Sequence, residues 1–250
     1  MVNTKKSSYL SIFGIILAIG LMASAFILGN QFKNLRETGV ITVKGLAEAE
    51  HKATVGTWKV RIYGWGATYA DAMKDNQYNL NQAVHFLEKK GFLEKDREIT
   101  DLSVSQRIEY YTDDNGKSQQ RYNGFDATRN IIISTEDLFS LQNALVEIQQ
   151  LRANNQAISF DSPDYYLENL EQIKRELIAK ATKDAYVRAK EFAQTSGVSV
   201  GVLKSASQGS FNIKSTRPGD DNSDYGGSYD TSTIDKKVRL VVTIKYAIDG

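Results

Sequence analysis

The sequence predicts an α+β domain of largely antiparallel sheets packed with three helices, preceded by one N-terminal transmembrane helix. Three observations predict this class: an uncharged apolar run near the amino terminus, segments in which apolar and polar residues alternate, and segments with an apolar stripe of helical period. In chain order the elements of the domain read ββαββαβαββ. Hairpins outnumber parallel crossovers in that order, which favours antiparallel pairing.

The apolar run comes first. Residues 9–28 carry no charge, and as a helix rising about 1.5 Å per residue they would span roughly 30 Å, the hydrocarbon thickness of a bilayer. Two lysines precede the run, which predicts a cytoplasmic N-terminus and a single-pass protein of the inner (cytoplasmic) membrane. A cleaved signal peptide is the alternative, because Ala23-Ser24-Ala25 resembles a cleavage site. Both interpretations place the domain in the periplasm or the extracellular space.

The chain is therefore predicted to have four parts. They are a short cytoplasmic N-terminus at residues 1–8, a signal anchor at 9–30, a linker at 31–39 and an extracytoplasmic domain at 40–250. In the domain, strands are predicted at Val40–Glu48 and Thr54–Tyr63, the second because apolar and charged residues alternate strictly. A helix is predicted from Thr68, whose hydroxyl can cap a backbone N–H, to Gly91, where glycine ends it.

A β-hairpin follows the first helix. Its strands are predicted at Ile99–Tyr111 and Gln119–Ser134, because Asn115-Gly116 supplies the positive φ angles of a tight turn. Next come a second helix from Glu136 and a short strand at Ala157–Phe160.

The third helix is predicted to begin at Ser162-Pro163-Asp164 and to end near Ser196. A hydroxyl, a proline and then an acid are typical of a helix start. Alanines recur every four residues from Ala181 to Ala193. Such a ridge of small residues lets a helix lie close to a sheet or to another helix.

Two strands are predicted to close the domain, at Val198–Val202 and Lys237–Ile248. The polar segment between them, at about residues 210–235, is predicted to be a flexible loop, because it cannot bury a core of its own. Tyr225 and Tyr229 in this loop are candidate oligomer contacts, since amphipathic aromatic side chains suit protein interfaces.

The composition argues against several kinds of chemistry. The formal net charge is +1, so no broad cationic field draws nucleic acid, and the chain has no cysteine for disulfides or thiolate chemistry. His51 and His85 fall in separate predicted elements, and no common hydrolase or nucleotide motif occurs. We therefore expect no catalytic residue, no cofactor and no metal site.

Two segments invite a ligand interpretation. Gly64-Trp65-Gly66 lies between a strand and a helix but lacks the third glycine of a dinucleotide-binding loop, which favours a strand-exit turn. The acidic segment at residues 220–224 resembles the start of a calcium loop. Tyr225 and Thr231 stand where that loop needs its glycine and its glutamate, which favours a solvated acidic loop.

Four segments in this order resemble the SIMPL-domain family, an envelope family of unknown function. They are Ile41-Thr42-Val43-Lys44-Gly45, Thr68-Tyr69-Ala70-Asp71-Ala72, the tract from Glu176 to Gly201, and the closing strand from Val238 to Tyr246. The resemblance implies an extracytoplasmic domain that self-associates into ring-like or cage-like homo-oligomers. It supplies no catalytic residues, and it links the protein with envelope and oxidative stress.

These observations predict a non-enzymatic, membrane-anchored envelope protein. Its expected partners are further copies of itself and the lipid bilayer, contacted through residues 9–28, with no nucleic acid. The alternative is a periplasmic binding module, monomeric or dimeric, for a small ligand or an envelope partner.

Overall fold

The computed structural model describes residues 14, 16–29, 39–217 and 227–249. Its elements are α1 (residues 16–29), β1 (Val40–Lys52), β2 (Val55–Gly66), α2 (Tyr69–Lys89), β3 (Arg97–Ile99), β4 (Ser103–Thr112), β5 (Ser118–Thr135), α3 (Leu138–Asn154), β6 (Ile158–Phe160), β7 (Asp164–Tyr166), α4 (Leu170–Thr195), β8 (Ser199–Ser215) and β9 (Asp235–Asp249). A short 3-10 helix at Glu94–Asp96 precedes β3. The predicted α+β class is confirmed.

The chain divides into two compact units. The larger comprises residues 44–185 and 207–242, and the smaller includes the described parts of 1–43, 186–206 and 243–250. Four elements, namely β1, α4, β8 and β9, have residues in both units. The three strands among these four form one sheet in the order β1-β9-β8.

The larger unit contains a six-stranded sheet. Its main path is β3-β5-β2-β6, with β4 beside β5 and β7 beside β2, and all of these strand pairs are antiparallel. Because side chains alternate along a strand, Trp58, Val60 and Ile62 of β2 all face inward and are buried. Ile131 and Ile133 of β5 join them.

Helices α2 and α3 cover this inner face. Their apolar stripes contribute buried side chains to the same cluster, namely Leu80, Ala83, Leu87, Leu141, Ala144 and Ile148. Thr68 caps α2 as predicted, since its hydroxyl accepts a hydrogen bond from the backbone N–H of Asp71 at 3.2 Å. Burying each large apolar side chain contributes about 1.5–3 kcal/mol, so this layer stabilises the unit.

The alanine ridge of α4 lies against β1. A Cβ atom added to Gly45 would stand 2.0 Å from the carbonyl oxygen of Ala181 and 2.8 Å from the Cβ of Ala185. The backbone N–H of Leu46 donates to the carboxylate of Asp184 at 2.8 Å. Small residues on both elements therefore allow the close approach that the sequence predicted. In the smaller unit, the rings of Tyr186 and Tyr246 lie 5.8 Å apart.

The N-terminal anchor stays a prediction, because part of it lies outside the described residues. Among the described residues, no helix is long and apolar enough to cross a membrane. Helix α1 occupies residues 16–29, about 21 Å at 1.5 Å per residue. Residues 9–13, 15 and 30 of the predicted anchor lie outside the described residues, as do the linker residues 31–38. The helix count also differs from the three predicted, because the described residues form α1 and a 3-10 helix in addition to α2, α3 and α4.

The predicted start of the long helix is wrong. Residues Asp164–Tyr166 form strand β7, paired antiparallel with β2 in the register Val55 to Tyr166, and α4 begins only at Leu170. Tyr165 is buried in the core cluster. Pairing with an existing sheet and burial of an aromatic ring thus outweigh a local capping signal.

Two further boundaries differ from the prediction. The predicted strand at Ile99–Tyr111 is divided into β3 and β4, although the turn at Gly116 is present with a φ of +75°. The predicted loop begins later than residue 210, because β8 continues to Ser215. Residues 218–226 of that loop lie outside the described residues.

Candidate functional site

The described ranges contain no group of three or more His, Asp or Glu side chains that could hold a metal ion. His51 lies on β1 and His85 on α2, so the structure keeps the two histidines in separate elements. The acidic segment 220–224, considered above for calcium, lies outside the described residues. The expectation that the protein has no catalytic residue, cofactor or metal stays a prediction.

Gly64-Trp65-Gly66 serves packing. Strand β2 continues through Gly66, and α2 lies directly above it. A Cβ atom on Gly66 would stand 2.2 Å from the backbone nitrogen of Ala72, and one on Gly64 would stand 2.4 Å from that of Asn76. The glycines therefore permit helix and strand backbones to touch, a role that the sequence did not reveal.

Asn76 fastens α2 to the sheet at this contact. Its side chain is fully buried, and its amide nitrogen donates to the carbonyl oxygens of Ile62 at 3.0 Å and Ala127 at 3.2 Å. These acceptors belong to the neighbouring strands β2 and β5. Both partners are main-chain oxygens of the sheet, so the side chain of Asn76 has a structural role: it holds α2 against β2 and β5.

Lys236 forms a second buried polar site. Its side chain is buried, and its ammonium donates to the carbonyl oxygen of Asp230 and lies 6.0 Å from the ring centre of Tyr229. Burial lowers the pKa of Lys236, while the charges of Asp230 and Asp164 oppose that shift. These contacts hold residues 229–236 together, and the backbone N–H of Tyr165 on β7 donates to the carbonyl oxygen of Thr231 at 2.7 Å.

The two predicted oligomer contacts have different positions. Tyr225 lies outside the described residues. Tyr229 is described, and its hydroxyl accepts a hydrogen bond from the backbone N–H of Leu167 at 2.8 Å. Its ring also meets the ring of Tyr166 edge to face, with 5.9 Å between centres. The hydroxyl and the ring of Tyr229 thus make contacts within the same chain. The role of this residue in assembly stays a prediction.

An open cavity of about 490 Å³ lies beside the start of α3. Its lining includes Lys95, Asp96, Glu136, Asp137 and Glu168. Asp137 is the cap of α3, and its hydrogen bonds with Ser140 lower the pKa of its carboxyl. Ligand pockets are mostly lined by apolar and aromatic side chains, so this polar cavity has the character of a solvated cleft.

The most exposed apolar side chains of the larger unit include several on one two-stranded ribbon. We call residues 103–124 the arm: it consists of β4, the turn at Gly116, and the first residues of β5. The pairing of β2 with β5 ends at Phe125. From residue 124 back to residue 118, β5 pairs only with β4 among the described residues. The outer part of the arm therefore extends past the rest of the sheet, and most of its side chains are exposed.

The two faces of the arm differ in character. Ile108 and Tyr122 lie opposite each other in the register, with Tyr110 two residues further along the same face. These three side chains are 48%, 55% and 73% exposed. The opposite face carries charged groups beside Tyr111, which is 47% exposed: the carboxylate of Glu109 accepts hydrogen bonds from Arg121 at 3.0 and 2.8 Å. The hydrogen bond with Arg121, together with one from Asn123, lowers the pKa of Glu109.

The base and the tip of the arm are well ordered by local contacts. At the base, the ring of Phe125 meets those of Tyr69 and Tyr122 edge to face, at 5.8 and 5.7 Å. At the tip, the carboxylate of Asp113 accepts from the backbone N–H groups of Asn115 and Lys117. The arm thus has a defined shape on which exposed aromatic side chains are presented.

The arm is the candidate interaction surface of this chain. The sequence predicted its hairpin but not its exposure, although alternating charged and aromatic residues on β4 were the available signal. A comparison with family models matches residues 41–246 to SIMPL, described as a protein of unknown function (DUF541). A comparison with curated proteins finds no match.

Proposed function

Since the chain belongs to the SIMPL family, whose function is unknown, we propose that it is a non-enzymatic envelope protein whose protomers self-assemble into a large, closed homo-oligomer. The observation that carries this proposal is the exposed arm. A two-stranded ribbon is marginally stable in water by itself, and burial of its apolar face against a partner would stabilise it. Tyrosine is also enriched in the centres of protein interfaces.

Anchoring to the inner membrane is part of the proposal. Its support is the sequence, in which residues 9–28 form an uncharged run preceded by two lysines. Resistance of the full-length protein to alkaline extraction from membranes is the expected result. Mass spectrometry of the mature N-terminus distinguishes a retained anchor from a cleaved signal peptide.

The assembly is tested on full-length protein extracted in mild detergent, by light scattering and negative-stain imaging. We expect a discrete multi-subunit particle. A monomer near the chain mass of 27.9 kDa plus detergent would contradict the proposal and favour the alternative, a binding module for a small ligand or envelope partner.

A matched pair of variants ties the result to the arm. Tyr110→Ser with Tyr122→Ser removes two exposed rings from the arm, while Tyr78→Ser removes an exposed ring from α2. We expect the arm variant to form smaller particles and the α2 variant to assemble like the parent chain. Equal assembly of all three proteins would show that the arm is not the contact surface.

A further inference from the structure

The outer edge of β4 is an unpaired row of backbone groups. Among the described residues β4 pairs with β5 alone, so along Ser103–Thr112 the backbone groups of alternate residues point to its other edge. Such an edge is a template for another strand, because its N–H and C=O groups can form a new ladder of hydrogen bonds.

The sequence of β4 is complementary to itself in one antiparallel register. When two copies are aligned with Ile108 opposite Ile108, Arg107 of each lies opposite Glu109 of the other. Opposite charges that face each other across a ladder stabilise the pair. This register also lies near the middle of β4, so it pairs almost the whole strand.

Neighbouring registers lose this match. Centring the pair on Arg107 places the two arginines opposite each other, and centring it on Glu109 does the same with the two glutamates. A register centred between two residues shifts the pairing by one position. Ile108 then lies opposite Arg107 or opposite Glu109, so an apolar side chain faces a charged one. The charges of β4 thus select the register centred on Ile108.

We propose that the partner of the β4 edge is β4 of a second copy of this chain, paired antiparallel about a two-fold axis at Ile108. The two arms then form one four-stranded ribbon. Ile108, Tyr110 and Tyr122 of both copies lie on one face, and Arg107 and Glu109 lie on the other. The contact is isologous, as expected for a two-fold interface. The inference rests on the proposed self-assembly and specifies one of its interfaces.

The chain has no cysteine, so single cysteines on the arm can map this pairing in the full-length protein. Ile108→Cys places two thiols opposite each other across the axis, within the 4.4–6.8 Å Cα separation that a disulfide spans. In Tyr110→Cys each new cysteine faces residue 106 of the other copy, so the two thiols are offset by four residues, about 13 Å along the strands. Gln106→Cys has the same separation and serves as a second control.

Mild oxidation is expected to give a covalent dimer with Ile108→Cys and none with either control variant alone. An equal mixture of the Gln106→Cys and Tyr110→Cys proteins is expected to cross-link, because these two positions face each other in the proposed register. Light scattering of the same samples separates two kinds of failure. If the protein is oligomeric but Ile108→Cys forms no covalent dimer, the proposed pairing of β4 edges is wrong. If the protein is monomeric, the proposed self-assembly is wrong as well.

A charge exchange provides a second test that does not depend on thiols. Arg107→Glu places like charges opposite each other at both positions flanking the axis, and it is expected to raise the dimer dissociation constant about tenfold or more. Adding Glu109→Arg restores opposite charges and is expected to recover the affinity. If the double variant dimerises no better than Arg107→Glu, the register is wrong.

Discussion

The two halves of strand β5 show how different the surroundings of one strand can be. From Phe125 to Thr135 the strand has β2 on one side, β3 and the start of β4 on the other, and helices over its inner face, and Ile131 and Ile133 are completely buried. From residue 118 to 124 its one strand partner in the described part of the chain is β4, and Tyr122 is 55% exposed. The strand pattern is similar in both halves, but among the described residues helices cover only the first. The second half is therefore the part for which we propose a partner outside the chain.

The largest effect is expected in the covered half of the sheet. Trp58→Ala removes a ring that is 1% exposed and whose indole N–H donates to the carbonyl oxygen of Asp161 at 2.9 Å. Removing a buried aromatic side chain costs about 3–5 kcal/mol of unfolding free energy, which urea denaturation measures. Tyr110→Ala on the arm is the control and is expected to change the unfolding free energy of the monomer by less than about 0.5 kcal/mol. Equal losses for both variants would contradict the comparison.

An intermediate effect is expected where helix and sheet backbones touch. Gly66→Ala places a Cβ atom 2.2 Å from the backbone nitrogen of Ala72, so α2 must move. Overpacking of this kind costs about 1–3 kcal/mol of unfolding free energy in the same denaturation experiment. At Gly39, an added Cβ would meet only the side chain of Ile248, at 3.6 Å. Gly39→Ala is therefore the matched control, and a loss there as large as at Gly66 would refute the packing argument.

The smallest effect is expected at the tip of the arm. The hydrogen bonds from Lys117 and Gln119 lower the pKa of Asp113 below its ordinary value of 3.8. The stabilising contribution of this carboxylate is therefore complete only above about pH 5, and it is lost as the pH falls through the lowered pKa. Amide chemical shifts of Asn115 and Lys117 should report that loss in an acid titration. Asp113→Asn should abolish the transition, and its persistence in that variant would assign it to another group.

Local signals made parts of this fold predictable from the sequence. Asn115-Gly116 identified the hairpin because a tight turn depends on adjacent residues alone. The capping hydroxyl of Thr68 identified the start of α2 for the same reason. At Ser162-Pro163 an equally good local signal failed, because pairing of β7 with β2 depends on residues about one hundred positions away.

The candidate surface could be predicted only in part. Alternation along β4 and β5 predicts strands, but it does not tell whether a second layer covers them, since that depends on where α2 and α3 end. The burial of Lys236 was likewise invisible, because a lysine next to a polar segment is ordinarily exposed. Its position follows from the contacts of Asp230 and Tyr229, which are brought together by the fold.

Hydrogen–deuterium exchange of the assembled full-length protein tests most directly whether the arm has its partner outside the chain. The peptides to compare are residues 103–112 on the arm and residues 57–66 on β2, in the parent chain and in Ile108→Asp, which places two like charges at the axis. We predict that β4 is protected in the parent chain and loses protection in the variant, while β2 is equally protected in both. Outward-facing β4 amides that exchange at the rate of unprotected peptide in the parent chain would contradict the account.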